Sequence, residues 1–371
     1  MSFADQAVSV VMPVRNAMPF LDEAVASILA QTHGNFEFVI GDDGSTDGSG
    51  ERLDQWARRD RRIRLIRNSG AGLGPSGSSN WVVREAIHPL VARMDADDIS
   101  MPDRLRRQLL ALRDHPDAVI VGSLCDIIDE TGRRIGGRDR SALRDARGDF
   151  PVAHGSILFR RDSFERVGGY RAICDFWEDR DLLARMVHDG KALVLPEAMY
   201  SYRYSPTGCR LVADEARIAR ALDLRLRCLA AYRTGRDYEE VIAQEARFGP
   251  RDSVAPAVLA QVAHERLWRG DPRTIMRSWA RRHTRLGWNR QGILIRIFAS
   301  WARLSPASLR ACLTLRSLYA DWRARNVTAD GEVHVWRSAG RRSGGTCPAD
   351  QPRAAMEDSL MAAGVAAQYQ G

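Results

Sequence analysis

Residues 90–105, LVARMDADDISMPDRL, decide the fold. The stretch begins with a short apolar strand and continues into three carboxylates at Asp95, Asp97 and Asp98. It then reaches Pro102, a residue type favoured at the first position of a helix. Carboxylates that directly follow a buried strand are costly unless a positive group compensates them. The pattern therefore predicts a sheet strand with a charged ligand at its carboxyl end.

On both sides of this stretch, short apolar segments alternate with helical ones. The predicted strands are 8–14, 36–41, 63–67, 90–94, 118–124 and 156–159, and the predicted helices include 19–31, 47–59, 102–115 and 180–189. Strands that alternate with helices of this length indicate an α/β fold with a mostly parallel sheet flanked by helices. Ligands bind at the carboxyl ends of such strands, where every acidic motif of this sequence falls.

The 371 residues allow one sizeable α/β domain and a smaller unit. We predict an α/β domain over 1–211, a helical Arg- and Trp-rich extension over 212–326, and a disordered tail over 327–371. We expect no secretion signal, and no apolar run reaches the roughly 18–20 residues that a membrane-spanning helix needs. The six cysteines show no paired spacing, which favours free thiols in the cytoplasm.

The positive charge is concentrated in one segment. Residues 264–326 hold 14 Arg, three acids and five of the nine Trp, although the whole chain has a net charge of only +8. Apolar residues at helical spacing between these arginines favour amphipathic helices in an anionic membrane interface. The alternative is a helical subdomain that packs on the core or on a second subunit. Because the charge is local, we expect no nucleic-acid partner and a peripheral position on the inner face of the cell membrane.

The acidic run 95–98 favours a metal role. Magnesium and manganese prefer oxygen ligands and bind through one or two carboxylates together with phosphate oxygens. One residue of the run is expected to act as a helix cap, but three carboxylates are more than a cap requires. We expect Asp98 to have a mainly structural role.

Two further acidic motifs have both structural and functional interpretations. Asp42-Asp43-Gly44-Ser45 follows the second predicted strand, where it can form a turn or bind a base or ribose. Trp177-Glu178-Asp179 opens a helix, where acids complement the helix dipole. A carboxylate in that place can also act as a general base towards an acceptor hydroxyl.

Together these motifs resemble glycosyltransferase family 2, a family of inverting enzymes with the GT-A fold. The resemblance spans about residues 8–205, and its RMDADDIS form is similar to the branch found in bacterial exopolysaccharide, capsule and O-antigen synthesis. It is carried by five motifs in order: VMPVRN (11–16) with Gln31-Thr32, DDGSTD (42–47), RMDADDISMPDRL (93–105), VGGY (167–170) and EDRDL (178–182).

The resemblance implies a role for individual residues. Pro13 and Arg15 would line the base pocket, Asp43 would bond the base, Asp95 would contact the ribose or sugar, Asp97 would ligate Mg or Mn, and Asp179 would be the general base with Glu178 beside it. The implied enzyme is a metal-dependent hexosyl- or related transferase. It would move a sugar from a nucleotide-sugar, with a UDP-sugar favoured, to a glycan or lipid-linked acceptor.

Three positions depart from the family pattern. Tyr202-Arg203-Tyr204-Ser205 ends in Ser where many members have a His that completes the metal shell. Ser79 stands where many have an Arg, and Arg15 stands where an aromatic residue is common.

Two other functions remain open at this point. Gly72-Leu-Gly-Pro-Ser-Gly77 matches the outline of a dinucleotide-binding fingerprint, which would indicate an oxidoreductase. Pro75 and the position after the third strand argue against it, because the fingerprint needs free N–H groups and follows the first strand. The second alternative is a GT-A-like binding or scaffolding subunit without activity.

Overall fold

The computed structural model describes residues 6–137, 152–204, 215–233, 237–249 and 334–336. The chain divides into two compact units. One comprises residues 1–204 and 316–339, and the other comprises 205–315 and 340–371. The predicted membrane-binding segment 264–326 and most of the predicted tail lie outside the described residues.

The first unit is an α/β fold. Its strands are β1 (Val8–Val14), β2 (Phe36–Asp42), β3 (Ile63–Arg67), β4 (Leu90–Arg93), β5 (Ile99–Ser100), β6 (Ala118–Ile128), β7 (Arg134–Gly137), β8 (Leu158–Arg160), β9 (Lys191–Arg203) and β10 (His334–Trp336). Its helices are α1 (Leu21–Leu29), α2 (Ser49–Arg59), α3 (Gly74–Arg84), α4 (Arg104–Asp114), α5 (Arg161–Arg166) and α6 (Glu178–Asp189).

All ten strands join in one sheet. The main order is β10-β9-β6-β8-β4-β1-β2-β3, with β5 paired to β9 and β7 paired to β6. The β4-β1-β2-β3 half is parallel, as predicted. Toward the other edge the sheet is mixed, because the short strand β8 runs antiparallel between β4 and β6 while β6 and β9 run parallel. The carboxyl ends of β1, β2, β3 and β4 therefore lie along one edge of the sheet.

The core lies on both faces of this sheet, as expected for a doubly covered layer. Along β1, Val8, Val10, Met12 and Val14 pack into one apolar cluster, whereas Val11 packs into the other. Helices α1 and α4 cover the first face, and α3 and α6 cover the second. A strand buried on both sides carries the nearly continuous apolar run that the sequence shows.

Two elements extend beyond the sequence-based expectation. The strand predicted for 118–124 continues to Ile128, and β9 contributes 13 residues beside it. Within the predicted tail, the described residues His334–Trp336 pair antiparallel with β9 as an edge strand.

The described part of the second unit consists of α7 (Glu215–Arg233) and α8 (Tyr238–Phe248). Arg227 joins them, because its guanidinium pairs with Asp223 at 2.9 Å and with Glu245 on α8. Both helices lie within the segment 212–326, for which a helical extension was predicted. None of the helices in the described residues is long and apolar enough to cross a membrane.

Candidate functional site

Two of the three acidic motifs lie at the same edge of the sheet, because each follows the carboxyl end of a parallel strand. Arg15 follows β1, Asp43 follows β2, and Asp95 follows β4. In the strand order, β1 has β2 on one side and β4 on the other. In an open α/β sheet, the binding crevice lies beyond the carboxyl ends of the strands, at the point where the strand order reverses.

The base pocket predicted around Pro13, Arg15 and Asp43 is lined by a loop of the chain itself. The buried Asp43 carboxylate accepts hydrogen bonds from Asn68 Nδ2 at 2.7 Å and from the Leu73 backbone N–H at 2.9 Å. Half-buried Pro13 lies in β1 opposite Gly41 of β2. The structure thus brings Pro13 and Asp43 to neighbouring strands, with the Asp43 oxygens engaged by residues 68–73.

Arg15 lies over the same loop. Its guanidinium is 3.8 Å from Asp43 and lies so close to Gly72 that an added Cβ there would collide with Nη1. The Arg15 side chain is half exposed, at 53%. A planar guanidinium in this place can stack on a base, which is a role that the missing aromatic residue would otherwise fill.

Asp95 is held by a buried arginine. Arg93 Nη2 lies 2.9 Å from Asp95 Oδ1, and the Arg93 side chain is only 7% exposed. Although burial lowers the pKa of Arg93, the Asp95 carboxylate raises it above its ordinary value. Asp95 is therefore compensated within the protein and does not need a metal ion for charge balance.

Asp97 differs from Asp95 and Asp98 in the surroundings of its carboxylate. Burial, followed by the charge of Asp95, raises the pKa of Asp97 to about 6. No hydrogen bond from another residue reaches its carboxylate within the described part of the chain. A half-buried carboxylate with an unfavourable anionic charge suits a divalent cation, so the residue fits the predicted metal ligand.

Other protein ligands are scarce. Among the described residues, no group of three or more His, Cys, Asp and Glu side chains is arranged to hold a metal ion. Ser205, which replaces the family His, lies outside the described residues. A cation bound here would rely on Asp97 together with phosphate oxygens of a ligand.

Asp98 has a structural role, but no residue of the run caps the helix, because α4 begins at Arg104 directly after Asp103. Asp98 is fully buried, and its Oδ1 accepts the Arg203 backbone N–H at 2.7 Å. The Arg203 side chain, itself 0% exposed, donates to the carbonyl oxygens of Asp97 at 2.7 Å, Asp129 at 3.1 Å and Glu130 at 3.2 Å. We call Arg203 and these partners the Arg203 clamp, since it joins the acidic run to the ends of β6 and β9.

The third motif approaches the site from α6. Asp179 is partly buried, with 18% of its side chain exposed, and its Oδ1 accepts the Arg180 backbone N–H at 2.8 Å. Burial, followed by the Arg93 charge, lowers the pKa of His154, and the carboxylates of Asp95 and Asp179 oppose this shift. Burial lowers the pKa of Arg93, whereas Asp95 and, more weakly, Glu178 raise it. Asp95 and the predicted catalytic residues Glu178 and Asp179 therefore lie around the same buried side chains, Arg93 and His154.

The start of α3 argues against the dinucleotide alternative. The Ser76 backbone N–H, which would face a pyrophosphate in a dinucleotide site, donates instead to Asp175 Oδ1 at 3.1 Å. Ser76 Oγ donates to the Arg171 carbonyl oxygen at 2.9 Å. A carboxylate of the chain thus occupies the anion-binding end of the helix.

Several residues of the site were not predicted from sequence. Arg93, Tyr170 and Arg203 stand inside quoted motifs, but their side-chain partners lie up to 106 positions away along the chain. His154 belongs to none of the quoted motifs. Its sequence signal is its place before Gly155-Ser156 at the start of a predicted strand.

Comparisons with known proteins identify the family of this chain. The family model "Glycosyl transferase family 2" matches residues 9–168. The Bacillus subtilis protein "Putative glycosyltransferase EpsE" is 34% identical over 204 residues, which cover 53% of this chain and 72% of EpsE. The chain belongs to glycosyltransferase family 2.

Two more comparisons give a protein and a solved structure that are similar to this family 2 member. "Putative teichuronic acid biosynthesis glycosyltransferase TuaG" of B. subtilis is 37% identical over 105 residues, covering 28% of this chain and 40% of TuaG. The structure of S. aureus TarS 1–349 in complex with UDP-GlcNAc superposes with a TM-score of 0.51 at 13% identity, over 74% of this chain and 87% of TarS. At that identity the TarS likeness shows the fold alone, and it confirms the GT-A architecture.

Proposed function

We propose that this glycosyltransferase inverts the anomeric carbon as it moves a hexose or related sugar from a UDP-sugar to a hydroxyl of a glycan or lipid-linked acceptor. The observation that carries the proposal is the convergence of Asp95, Asp97 and the Glu178–Asp179 pair around one buried group of residues at the carboxyl edge of the sheet. The name of TuaG, from teichuronic acid biosynthesis, supports a role in cell-surface polysaccharide synthesis.

Residues 1–211 would form the catalytic domain, and each acid would have a separate task. Pro13, Arg15 and Asp43 would receive the base, and Asp95, already neutralised by Arg93, would accept hydrogen bonds from the ribose. Asp97 would hold Mg²⁺ or Mn²⁺. When bound, the cation supplies positive charge that stabilises the leaving nucleoside diphosphate.

Asp179 would accept the proton of the attacking acceptor hydroxyl. Its Oδ1 is oriented by the Arg180 N–H, and Arg180 Nε lies 3.5 Å from Oδ2. The base would thus be held in place before the acceptor arrives, which favours a productive geometry. Attack from the side opposite the leaving group inverts the configuration.

The proposal is tested with the purified protein, a panel of UDP- and GDP-sugars, and Mn²⁺ or Mg²⁺ with an EDTA control. We expect release of nucleoside diphosphate from one donor, dependent on the metal. Asp179→Asn should lose sugar transfer and retain nucleotide binding. A protein that binds nucleotide but transfers and hydrolyses nothing would instead favour the non-catalytic binding subunit.

The extension is proposed to hold the enzyme at the inner face of the membrane through residues 264–326, which bring 14 Arg and five Trp. Flotation with anionic and neutral liposomes tests this. Equal partitioning of the full chain and a chain lacking 264–326 would contradict it.

A further inference from the structure

A buried polar network contacts Asp95 through Arg93, and two of its members, His154 and Tyr170, have no role in the mechanism above. Arg93, which pairs with Asp95, also directs its Nε to His154 Nε2 at 3.1 Å. The same Nε2 lies 2.6 Å from Tyr170 Oη. Three side chains from separate segments thus connect in series to the carboxylate.

The protonation states of this network follow from its surroundings. Burial, followed by the Arg93 charge, lowers the pKa of His154 to about 4, so the imidazole is neutral near pH 7. Burial raises the pKa of Tyr170 above its ordinary value, so its hydroxyl keeps its proton. A buried hydroxyl proton needs an acceptor, and within the described residues His154 Nε2 is the partner of this one.

These states assign the direction of the Tyr170–His154 hydrogen bond. The Tyr170 hydroxyl donates to His154 Nε2, which places the imidazole proton on Nδ1. Arg93 Nε lies against the same ring, 3.1 Å from Nε2 and 3.4 Å from Nδ1. The ring in turn fixes the guanidinium that holds Asp95.

Both ends of the network are anchored. The Tyr170 backbone exchanges hydrogen bonds with the Asn80 side chain at 2.8 and 2.9 Å, and its ring packs edge-on against Phe164 at 5.5 Å. At the other end, Gly155 packs close to the carboxylate, because a Cβ added there would lie 2.8 Å from Asp95 Oδ2 and would collide with Tyr200 Oη. The Gly155 backbone thus closes one side of the Asp95 carboxylate.

We propose that Arg93, His154 and Tyr170 form a positioning unit that holds the Asp95 carboxylate in the orientation in which it binds the ribose of the nucleotide. The inference rests on the proposed function, since it presupposes a nucleotide ligand. These three are positioning residues, and they act on the ligand through Asp95. Because Arg93 supplies the compensating charge, Asp95 is ready for a neutral hydroxyl while Asp97 remains available to a cation.

The test is calorimetric titration of the full chain with UDP, and in parallel with GDP, in the presence of Mn²⁺. Tyr170→Phe keeps the ring contacts and removes one donor, and His154→Ala removes the link. We expect each to weaken nucleotide binding by about fivefold to tenfold, the size of one or two lost hydrogen bonds. The number of sites per chain should stay the same.

Two matched variants separate positioning from folding. His154→Gln can place an amide oxygen near the Nε2 position, so we expect it to bind nucleotide within about twofold of wild type. His115→Gln makes the same substitution directly after α4, at the edge of the sheet opposite the site. Nucleotide binding should be unchanged in this variant. A merely structural role would lower the number of binding sites or the melting temperature and leave Kd unchanged.

In an Asp95→Asn background, Tyr170→Phe should cause no further loss, because the unit acts through Asp95. An unchanged Kd in both Tyr170→Phe and His154→Ala, or an equal loss with and without Asp95, would overturn the positioning unit alone. A wild-type chain that binds neither UDP nor GDP would overturn the proposed function, and this inference with it.

Discussion

Replacing Arg203 with methionine tests whether the Arg203 clamp holds the metal-binding run in place. The Arg203 side chain is completely buried, donates to three carbonyl oxygens, pairs with Glu23 Oε2 at 2.5 Å, and lies 4.6 Å from the centre of the Phe20 ring. In Arg203→Met, the thioether side chain would keep much of the apolar contact with Phe20. The substitution would leave the carbonyl groups of Asp97, Asp129 and Glu130 without these donors.

The magnitude follows from these contacts. Removing one partner of a buried charged pair costs about 3–5 kcal/mol. Glu23 is 57% exposed and recovers water, which places the expected loss of unfolding free energy near the lower end, about 3 kcal/mol. Because Arg203 Nε holds the Asp97 carbonyl, Mn²⁺-dependent nucleotide binding should weaken as well.

The assay is urea unfolding at pH 7 followed by circular dichroism, with Arg106→Met as the matched control. Arg106 is half exposed and pairs with Asp103 at the surface, so its loss should cost about 0–1 kcal/mol. If Arg203→Met lost less than about 1 kcal/mol, or no more than Arg106→Met, the clamp would not have the role assigned to it.

Three further predictions concern the site itself. Asp179→Asn removes the proton acceptor but no group proposed to bind nucleotide, so transfer should fall at least about a hundredfold while the calorimetric Kd for UDP changes less than about twofold. Asp97→Asn removes the proposed metal ligand, so Mn²⁺ with UDP should raise the melting temperature of wild type and not that of the variant. The pKa of His154 is about 4 in the folded protein against an ordinary 6.5, so its contribution to stability is present above pH 6.5 and is lost as the pH falls towards 4. At about 1.4 kcal/mol per pKa unit, the free energy of unfolding falls by ~3 kcal/mol. The fall is measured by comparing urea unfolding at pH 7 and at pH 4.5, and His154→Gln should not show it.

Asp114→Asn is the control for the two aspartate variants. Asp114 is exposed at the end of α4, beyond the amino end of β6 and at the opposite edge of the sheet. It should retain both transfer and the Mn²⁺-dependent shift. An Asp179→Asn enzyme with undiminished turnover, or an Asp97→Asn protein with the full thermal shift, would contradict the assigned roles. Equal pH dependence in His154→Gln and wild type would show that the imidazole is not held neutral.

The sequence predicted which acids lie at one edge of the sheet, because parallel strands carry their carboxyl ends to the same edge. Asp43 and Asp95 could be placed together from strand alternation alone, without any knowledge of their partners. The parallel half of the sheet was predictable for the same reason, since its strands are apolar and separated by helices.

What surrounds the acids was not predictable in this way. Arg93 meets His154 across 61 positions, and Arg203 meets Asp97 across 106. Both contacts depend on the insertion of β8 between β4 and β6 and on the length of β9, which no local periodicity encodes. The Gly72–Gly77 run shows that a local spacing can also suggest a site that the fold does not form. Its spacing suggested a phosphate loop, but Asp175, about 100 positions later, occupies the helix start.

The hydrogen bonds that residues 68–73 make to Asp43 have a consequence for how donor selectivity can change. A base that hydrogen-bonds to Asp43, as proposed, would share the carboxylate with the Asn68 amide and the Leu73 N–H, so its net gain would depend on how strongly those donors hold the oxygens. That competition would be set by the loop 68–73 rather than by the acids. Substitutions in that loop can therefore shift the preference among nucleotides while the chemistry at Asp97 and Asp179 stays the same, which makes residues 68–73 the place to begin redesign of the donor.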